Sequence, residues 1–275
     1  MKKLLIVPIF LFLGFISCQN KENAQTTQTS EVKVDSVVYN YETPKVITPN
    51  GDTTSTSIYV KYPKLSGGNE QAIAKINAFM EDLAKRGLAG AGMYEEDSVK
   101  KPAPASLEEA GKAFLNAYED FKKEMPESGM GWYFEGGGDT TYISPKIIGI
   151  FYTESVFTGG AHGNYNTSLL NFDAQTGELL KLTDIISDTT ALKKIAEVKF
   201  YENEQKEAKA GDFEFDKSMY FWDSPFFLPQ NVGITKEGLQ FLYNPYEAAA
   251  YARGQISFTI SLKDLDAIVR KERIF

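Results

Sequence analysis

The residues best suited to chemistry lie in one short string, Phe157-Thr158-Gly159-Gly160-Ala161-His162-Gly163-Asn164. A glycine pair beside a histidine lets backbone N–H groups approach a ligand with no Cβ in the way, the arrangement of an anion nest or an oxyanion loop. The structural reading of the same string asks for less. It needs only a sharp bend at left-handed angles, with His162 bonded to backbone to hold it. Gly159, Gly160, His162, Gly163 and Asn164 are therefore a candidate ligand loop or a structural loop. His162 is the single histidine of the chain, which excludes every mechanism that needs two imidazoles. A serine hydrolase would need a Gly-x-Ser-x-Gly elbow, or a serine in reach of His162 with an orienting aspartate, and no elbow motif is present. A hydrolase using His162 stands as the alternative to a non-catalytic role, and no catalytic residue is assigned.

Other chemistry-bearing strings have plainer readings. Asp173-Ala174-Gln175-Thr176-Gly177-Glu178 lacks the Asp/Asn spacing of an EF-hand and reads as a turn. Glu95-Glu96 and Glu108-Glu109 are adjacent pairs that do not face one substrate, so each is a solvated face. Gly136-Gly137-Gly138 is followed by Asp139-Thr140, with neither the lysine nor the helix of a phosphate loop. No metal and no cofactor are expected. The third cluster is aromatic: Tyr220-Phe221-Trp222-Asp223-Ser224-Pro225-Phe226-Phe227, then Tyr243-Asn244-Pro245-Tyr246 and Tyr251. Exposed rings of this kind stack on sugars or anchor a protein partner, and Tyr220, Trp222 and Phe226 are the candidate partner-binding positions.

Cys18 is the only cysteine among 275 residues, so neither an intramolecular disulfide nor a thiolate zinc site is available. Its position is more informative. Met1-Lys2-Lys3 precedes an uncharged apolar run over residues 4–16, then Ser17-Cys18 and the polar Gln19-Asn20-Lys21-Glu22. That run has the length of a signal-peptide core and falls short of the ~20 residues of a spanning helix. A small residue followed by cysteine at this point resembles the lipobox of bacterial lipoproteins, with Phe15 where leucine is usual. The resemblance implies export, removal of residues 1–17 and acylation of Cys18 by palmitate-type chains. A plain secretory signal with an incidental cysteine is the alternative. Removing residues 1–17 takes two lysines from a chain of net charge -8. Membrane attachment would then be through lipid rather than a basic patch, and the acidic balance argues against a nucleic-acid partner. Residues 18–31 carry no aromatic and read as a flexible tether. Lys21-Glu22 is a faint sign of outward export, and the expected location is the cell envelope, at the outer membrane.

The elements that must position these residues begin at 32. Residues 32–39 and 57–62 are β-like, with Pro63 ending the second strand. Asn69 opens a helix with Ile73, Ile76, Phe79, Met80 and Leu83 on one side and Gly87 as its stop. Ser106-Leu107-Glu108-Glu109 caps a second helix with Leu107, Ala110, Phe114, Tyr118 and Phe121 as its stripe, closed by Pro126. Residues 147–157 are apolar on both faces, so this strand is covered on both sides. Residues 169–172 and 179–182 form a hairpin, 183–208 a polar helix carrying Leu192, Ile195 and Ala196, and 232–234 with 239–243 another hairpin. A strand at 255–260 leads to a last short helix capped by Ser261 and Asp264, with Leu262, Leu265 and Ile268 inward. With no regular βαβ alternation, the fold class is α+β, a mostly antiparallel sheet packed with a few amphipathic helices. The expected division is 32–135 and 136–275.

The ordered strings Phe157-Thr158-Gly159-Gly160-Ala161-His162-Gly163, Asn171-Phe172-Asp173, Thr176-Gly177, Leu182-Thr183-Asp184-Ile185, Gly238-Leu239, Tyr243-Asn244-Pro245-Tyr246-Glu247 and Tyr251-Ala252-Arg253-Gly254 resemble a known family. It is the C-terminal domain of unknown function shared by RsiV-type anti-sigma factors and PdaC-like envelope proteins. Tyr62-Pro63-Lys64-Leu65 ahead of the Asn69 helix resembles the partner N-terminal domain. The resemblance covers residues 32–270. It implies an exported domain that, in RsiV-type members, binds lysozyme. This chain departs from those members in lacking a spanning helix and a sigma-binding segment. PdaC-type proteins add a separate deacetylase domain whose metal site needs an aspartate and two histidines, which His162 alone does not supply. The implied function is a non-catalytic envelope lipoprotein, a binding module for a lysozyme-like protein or for peptidoglycan.

Overall fold

In the computed structural model, which describes residues 31–47, 51, 53–91, 102–212 and 214–275, strand β1 (Lys33–Glu42) is followed by the short pair β2 (Val46–Ile47) and β3 (Thr53–Thr54) and by β4 (Ser57–Ser66). Ile58, Val60, Tyr62 and Leu65 of β4 are buried, and they face helix α1 (Glu70–Gly90) and helix α2 (Leu107–Glu124). The chain then returns as β5 (Tyr133–Ile143), β6 (Ile147–Phe157) and β7 (Asn164–Asp173). These strands form a five-stranded sheet in the order β1-β4-β5-β6-β7. Neighbours are antiparallel except β4 and β5, which run parallel from Ser57↔Tyr133 to Lys61↔Gly137. A parallel pair needs a crossover, and α1 with α2 supplies it while covering one face of the sheet. Ile76, Met80, Leu88, Phe114, Phe134, Ile148, Ile150 and Tyr152 fill that layer.

After β7 come a one-turn helix α3 (Leu182–Ile185), helix α4 (Thr189–Ala210), strands β8 (Asn231–Ile234) and β9 (Leu239–Tyr243), and β10 (Ile256–Ile260). The last three pair antiparallel in the order β10-β9-β8. Leu192, Ala196 and Phe200 of α4 pack on Phe241, Tyr243 and Phe258 in a second core. Phe200 is its centre, with Tyr220, Phe221, Phe226, Tyr243 and Phe258 all within 6.0 Å between ring centroids. Edge-on aromatic contacts of this kind add to the burial of each ring.

The two sheets meet along β7 and β8, the edge strand of each, and asparagines bridge the junction. Asn171 donates to Val232 O at 2.7 Å and accepts from Ile234 N at 2.8 Å. Asn244 accepts from Thr167 N at 2.8 Å and donates to Thr167 O at 3.0 Å, and Asn231 accepts from Leu169 N at 3.2 Å. Side-chain amides thus meet backbone groups that an unpaired strand edge would leave unsatisfied.

The α+β class and its mostly antiparallel sheets agree with the sequence, and β6 is covered on both faces, with Ile148 and Ile150 in the first core and Ile147 in the second. Several boundaries differ. Pro63 does not end its strand: it sits opposite Ser36, past the point where β5 leaves β4, so no neighbour on that side asks it for a hydrogen bond. Gly87 does not stop α1, which goes on to bury Leu88 and Ala89. The polar helix begins at Thr189 rather than 183, because Ile186 is drawn into a bridge with Val269 and Ser187 N bonds Ile268 O. That same bridge pulls residues after Ser261 into successive turns in place of a helix, although Ser261 Oγ does accept from Asp264 N. The second arm of the first hairpin shrinks to a bridge between Phe172 and Leu179. Residues 135 and 136, where the two halves were expected to part, are neighbours inside β5.

Candidate functional site

The Gly-rich loop joins β6 to β7, and Gly159 and Gly160 take φ of 100° and 93°, the left-handed bend expected of them. His162 is exposed, and its Nδ1 lies 2.8 Å from Gly163 O, so that nitrogen carries the proton and donates. The imidazole stacks on Tyr251, with centroids 3.9 Å apart and planes 19° from parallel. Tyr251 in turn donates its hydroxyl to Gly163 O at 2.6 Å, so one carbonyl ties the loop to a segment 88 residues away. A Cβ at position 163 would stand 2.5 Å from the Tyr133 hydroxyl, so a larger residue there would have to displace that ring. Asn164 is exposed at the first position of β7.

Around this stack stand two further tyrosines. Tyr246 lies 5.5 Å from Tyr251 and is 57% exposed, and Tyr165 meets Tyr251 edge-on at 6.1 Å. The four rings make a partly open aromatic face. Its supports are bonded into the second core. Tyr251 belongs to the 3-10 turn Tyr251–Arg253, and Arg253 bonds Glu204 Oε2 through Nη2 at 2.7 Å and Nε at 2.9 Å. Glu204, on α4, is fully buried, and its Oε1 accepts from Asn203. Burial, with the Glu204 charge beside it, pushes the Tyr220 phenol up to about 12. Tyr246 adopts a positive φ of 70° just past Asn244, the residue bonded into the sheet junction. A strained backbone of this kind persists where its surroundings hold it.

The expected partner-binding aromatics are corrected. Tyr220 and Phe226 are 7% and 4% exposed and belong to the core around Phe200, so they offer no surface to a ligand. Trp222 alone remains open, at 53%, on a turn where it and Phe221 both take positive φ. Tyr246 and Tyr251, placed by the sequence in the aromatic cluster but not among its candidate partner-binding positions, are the pair brought to His162. The available signal was Asn244-Pro245-Tyr246, an aromatic in a turn string rather than in an alternating strand. Asp173 to Gly177 is the expected turn: Asp173 Oδ1 accepts from Gln175 N and Thr176 N, and Gly177 has φ of 72°. Among the described residues, no group of three His, Cys, Asp or Glu is placed to hold a metal, and no helix is long and apolar enough to cross a membrane. Cys18, residues 1–17, most of the tether, and Glu95-Glu96 lie outside the described residues.

Two family models match adjacent stretches: "Deacetylase PdaC" over residues 50–165 and "Protein of unknown function (DUF3298)" over 183–263. The architecture is shared with solved structures of DUF3298-family proteins. One, from Bacteroides fragilis, has a TM-score of 0.59 at 17% identity and covers 88% of this chain and 94% of its own. Another, from Pseudomonas aeruginosa, has a TM-score of 0.56 at 17% identity, covering 90% of this chain and 98% of its own. No curated protein matches. The class is thus an α+β protein that carries a PdaC-like stretch followed by a DUF3298-like one, domains that indicate an envelope-associated family of unknown function. His162 and Tyr165 lie in the first matched stretch, Tyr246 and Tyr251 in the second, so the aromatic face is assembled across both.

Proposed function

We propose that this chain is a non-catalytic lipoprotein of the bacterial cell envelope that binds a cell-wall glycan on the face formed by His162, Tyr165, Tyr246 and Tyr251. The observation that carries the reading is the stack of His162 on Tyr251 beside exposed Tyr246, in a setting whose backbone is held from both sides. Sugar rings present apolar faces that pack on aromatic rings, and a platform fixed before binding loses little entropy when it is occupied. The contacts of His162 are a backbone oxygen and a tyrosine ring, which supports a positioning role over the hydrolase alternative. A lysozyme-like protein as ligand is the second reading, supported by the family resemblance. Lipid at Cys18 would hold the domain at the outer membrane, and its test is fatty-acid labelling of cells that is lost in Cys18→Ser.

Titration of residues 19–275 with N-acetylglucosamine oligomers and with peptidoglycan fragments tests the glycan reading. Saturable binding is expected, weakened about fivefold by Tyr246→Ala, in keeping with the ~1 kcal/mol of one aromatic stack. Absence of binding to wild-type protein sinks it. Binding of lysozyme alone, lost in the same variant, transfers the face to the protein reading. His162→Ala separates the hydrolase reading: loss of a measurable glycan cleavage with binding intact would favour that reading.

A further inference from the structure

One buried acid has no part in the aromatic face. Glu154 lies on β6 two residues beyond Tyr152 and on the same side of the strand. Across β5, Glu154 pairs with Gly136 and Tyr152 with Gly138. A Cβ on Gly136 would stand 2.2 Å from the Tyr152 hydroxyl, so the phenol leans along the strand and ends over Gly136, beside the carboxyl group. On the other side is α1. A Cβ on Gly87 would stand 1.7 Å from Glu154 Oε1 and 3.0 Å from Oε2, so the carboxyl packs directly on the helix backbone. Glycines in a helix interior cost about 1 kcal/mol against alanine, and here one is kept where a methyl group would strike the acid. Yet among the described residues neither Glu154 Oε1 nor the Tyr152 hydroxyl has a hydrogen-bond partner, and both atoms are buried.

We propose that Glu154 is a proton-operated latch beneath α1: protonated, it lets the helix lie on β5 and β6, and ionised, it draws water between helix and sheet and loosens the helix around Gly87. An ionised carboxylate in such a place must be paired, hydrated or neutralised. The groups that face it do not pair it. On β6 it has Tyr152, which faces Tyr62 of β4, and its register partners are Gly136 on β5 and Asn166 on β7. On α1, Lys85 is bonded to Glu81 and Arg86 to Asp82. Glu154 is in no ion pair among the described residues. Burial accordingly pushes its carboxyl from 4.5 up to about 7, and holds the Tyr152 phenol well above its usual range. The folded protein therefore keeps a proton on Glu154 that the unfolded chain releases. Stability from this group is full below about 4.5, falls as pH rises toward 7 and is gone above it. The latch stands apart from the glycan reading.

Hydrogen exchange of the full chain at pH 5 and pH 8, corrected for the intrinsic pH dependence of exchange, tests it. Protection of the amides flanking Gly87 is expected to fall at least ~10-fold in wild-type protein between the two pH values, and to stay constant in Glu154→Gln. Glu154→Met, apolar and of similar volume, serves the same comparison where Gln does not fold. Unchanged protection in wild-type α1, or the same fall in the substituted protein, overturns the latch.

Discussion

The two halves of this protein differ in how fully they pair their buried polar groups. Around the second sheet, Thr167, Asn171, Glu204 and Asn244 are all buried and all hydrogen-bonded: Thr167 to the Thr153 hydroxyl, Asn171 and Asn244 to backbone at the sheet junction, and Glu204 to Arg253 and Asn203. Under α1 and α2, Thr56 Oγ1 accepts from Trp132 N, but the Trp132 indole nitrogen, the Tyr152 hydroxyl and Glu154 Oε1 are buried without partners among the described residues. A satisfied polar network specifies one geometry, while an unsatisfied group stores free energy that protonation or water can release. The first arrangement suits holding a platform of rings in place. The second suits a layer whose packing responds to its surroundings.

Breaking the satisfied region has the largest expected effect. Glu204→Ala leaves the Arg253 guanidinium without its buried partner and frees the turn that carries Tyr251, at a cost of about 3 kcal/mol in denaturant unfolding. A loss under 1 kcal/mol would mean that Arg253 finds solvent instead. Next comes the unsatisfied region, with the sign reversed. Glu154→Gln is expected to raise stability at pH 8, where the ionised acid costs on the order of 3 kcal/mol, and to give no gain at pH 4, where wild-type Glu154 is neutral in both states. Thermal melts of both proteins across that range check it. A smaller loss, about 1 to 3 kcal/mol, is expected for Asn244→Ala, which removes the bonds to both backbone groups of Thr167 at the junction. Smallest is Tyr246→Ala, expected to move stability by less than ~0.5 kcal/mol because the ring is exposed. A large loss there would recast Tyr246 as a structural residue and weaken the case for an open face.

Much of the scaffold was legible because short-range rules govern it. Asn69 and Ser106 do cap their helices, and Thr235 to Gly238 does close a hairpin, since capping and turn geometry depend on a few neighbouring residues. Gly87 misled for the same reason: locally it is a helix stop, and only the Glu154 side chain arriving from another strand explains it inside a helix. The aromatic string failed differently. Tyr220 and Phe226 look as open as Trp222 in sequence, but Phe200, one turn of α4, decides which rings are enclosed.

By itself the sequence determined the α+β class, the left-handed glycines of the loop and the family, because propensity, caps and ordered motifs are local and additive. Tertiary structure alone decided that His162 meets Tyr251, that asparagines join two sheets through their edge strands, and that an acid on β6 lies buried beneath α1. Those are contacts between residues far apart in the chain, and which of them form depends on how the layers close around one another rather than on any single stretch of residues.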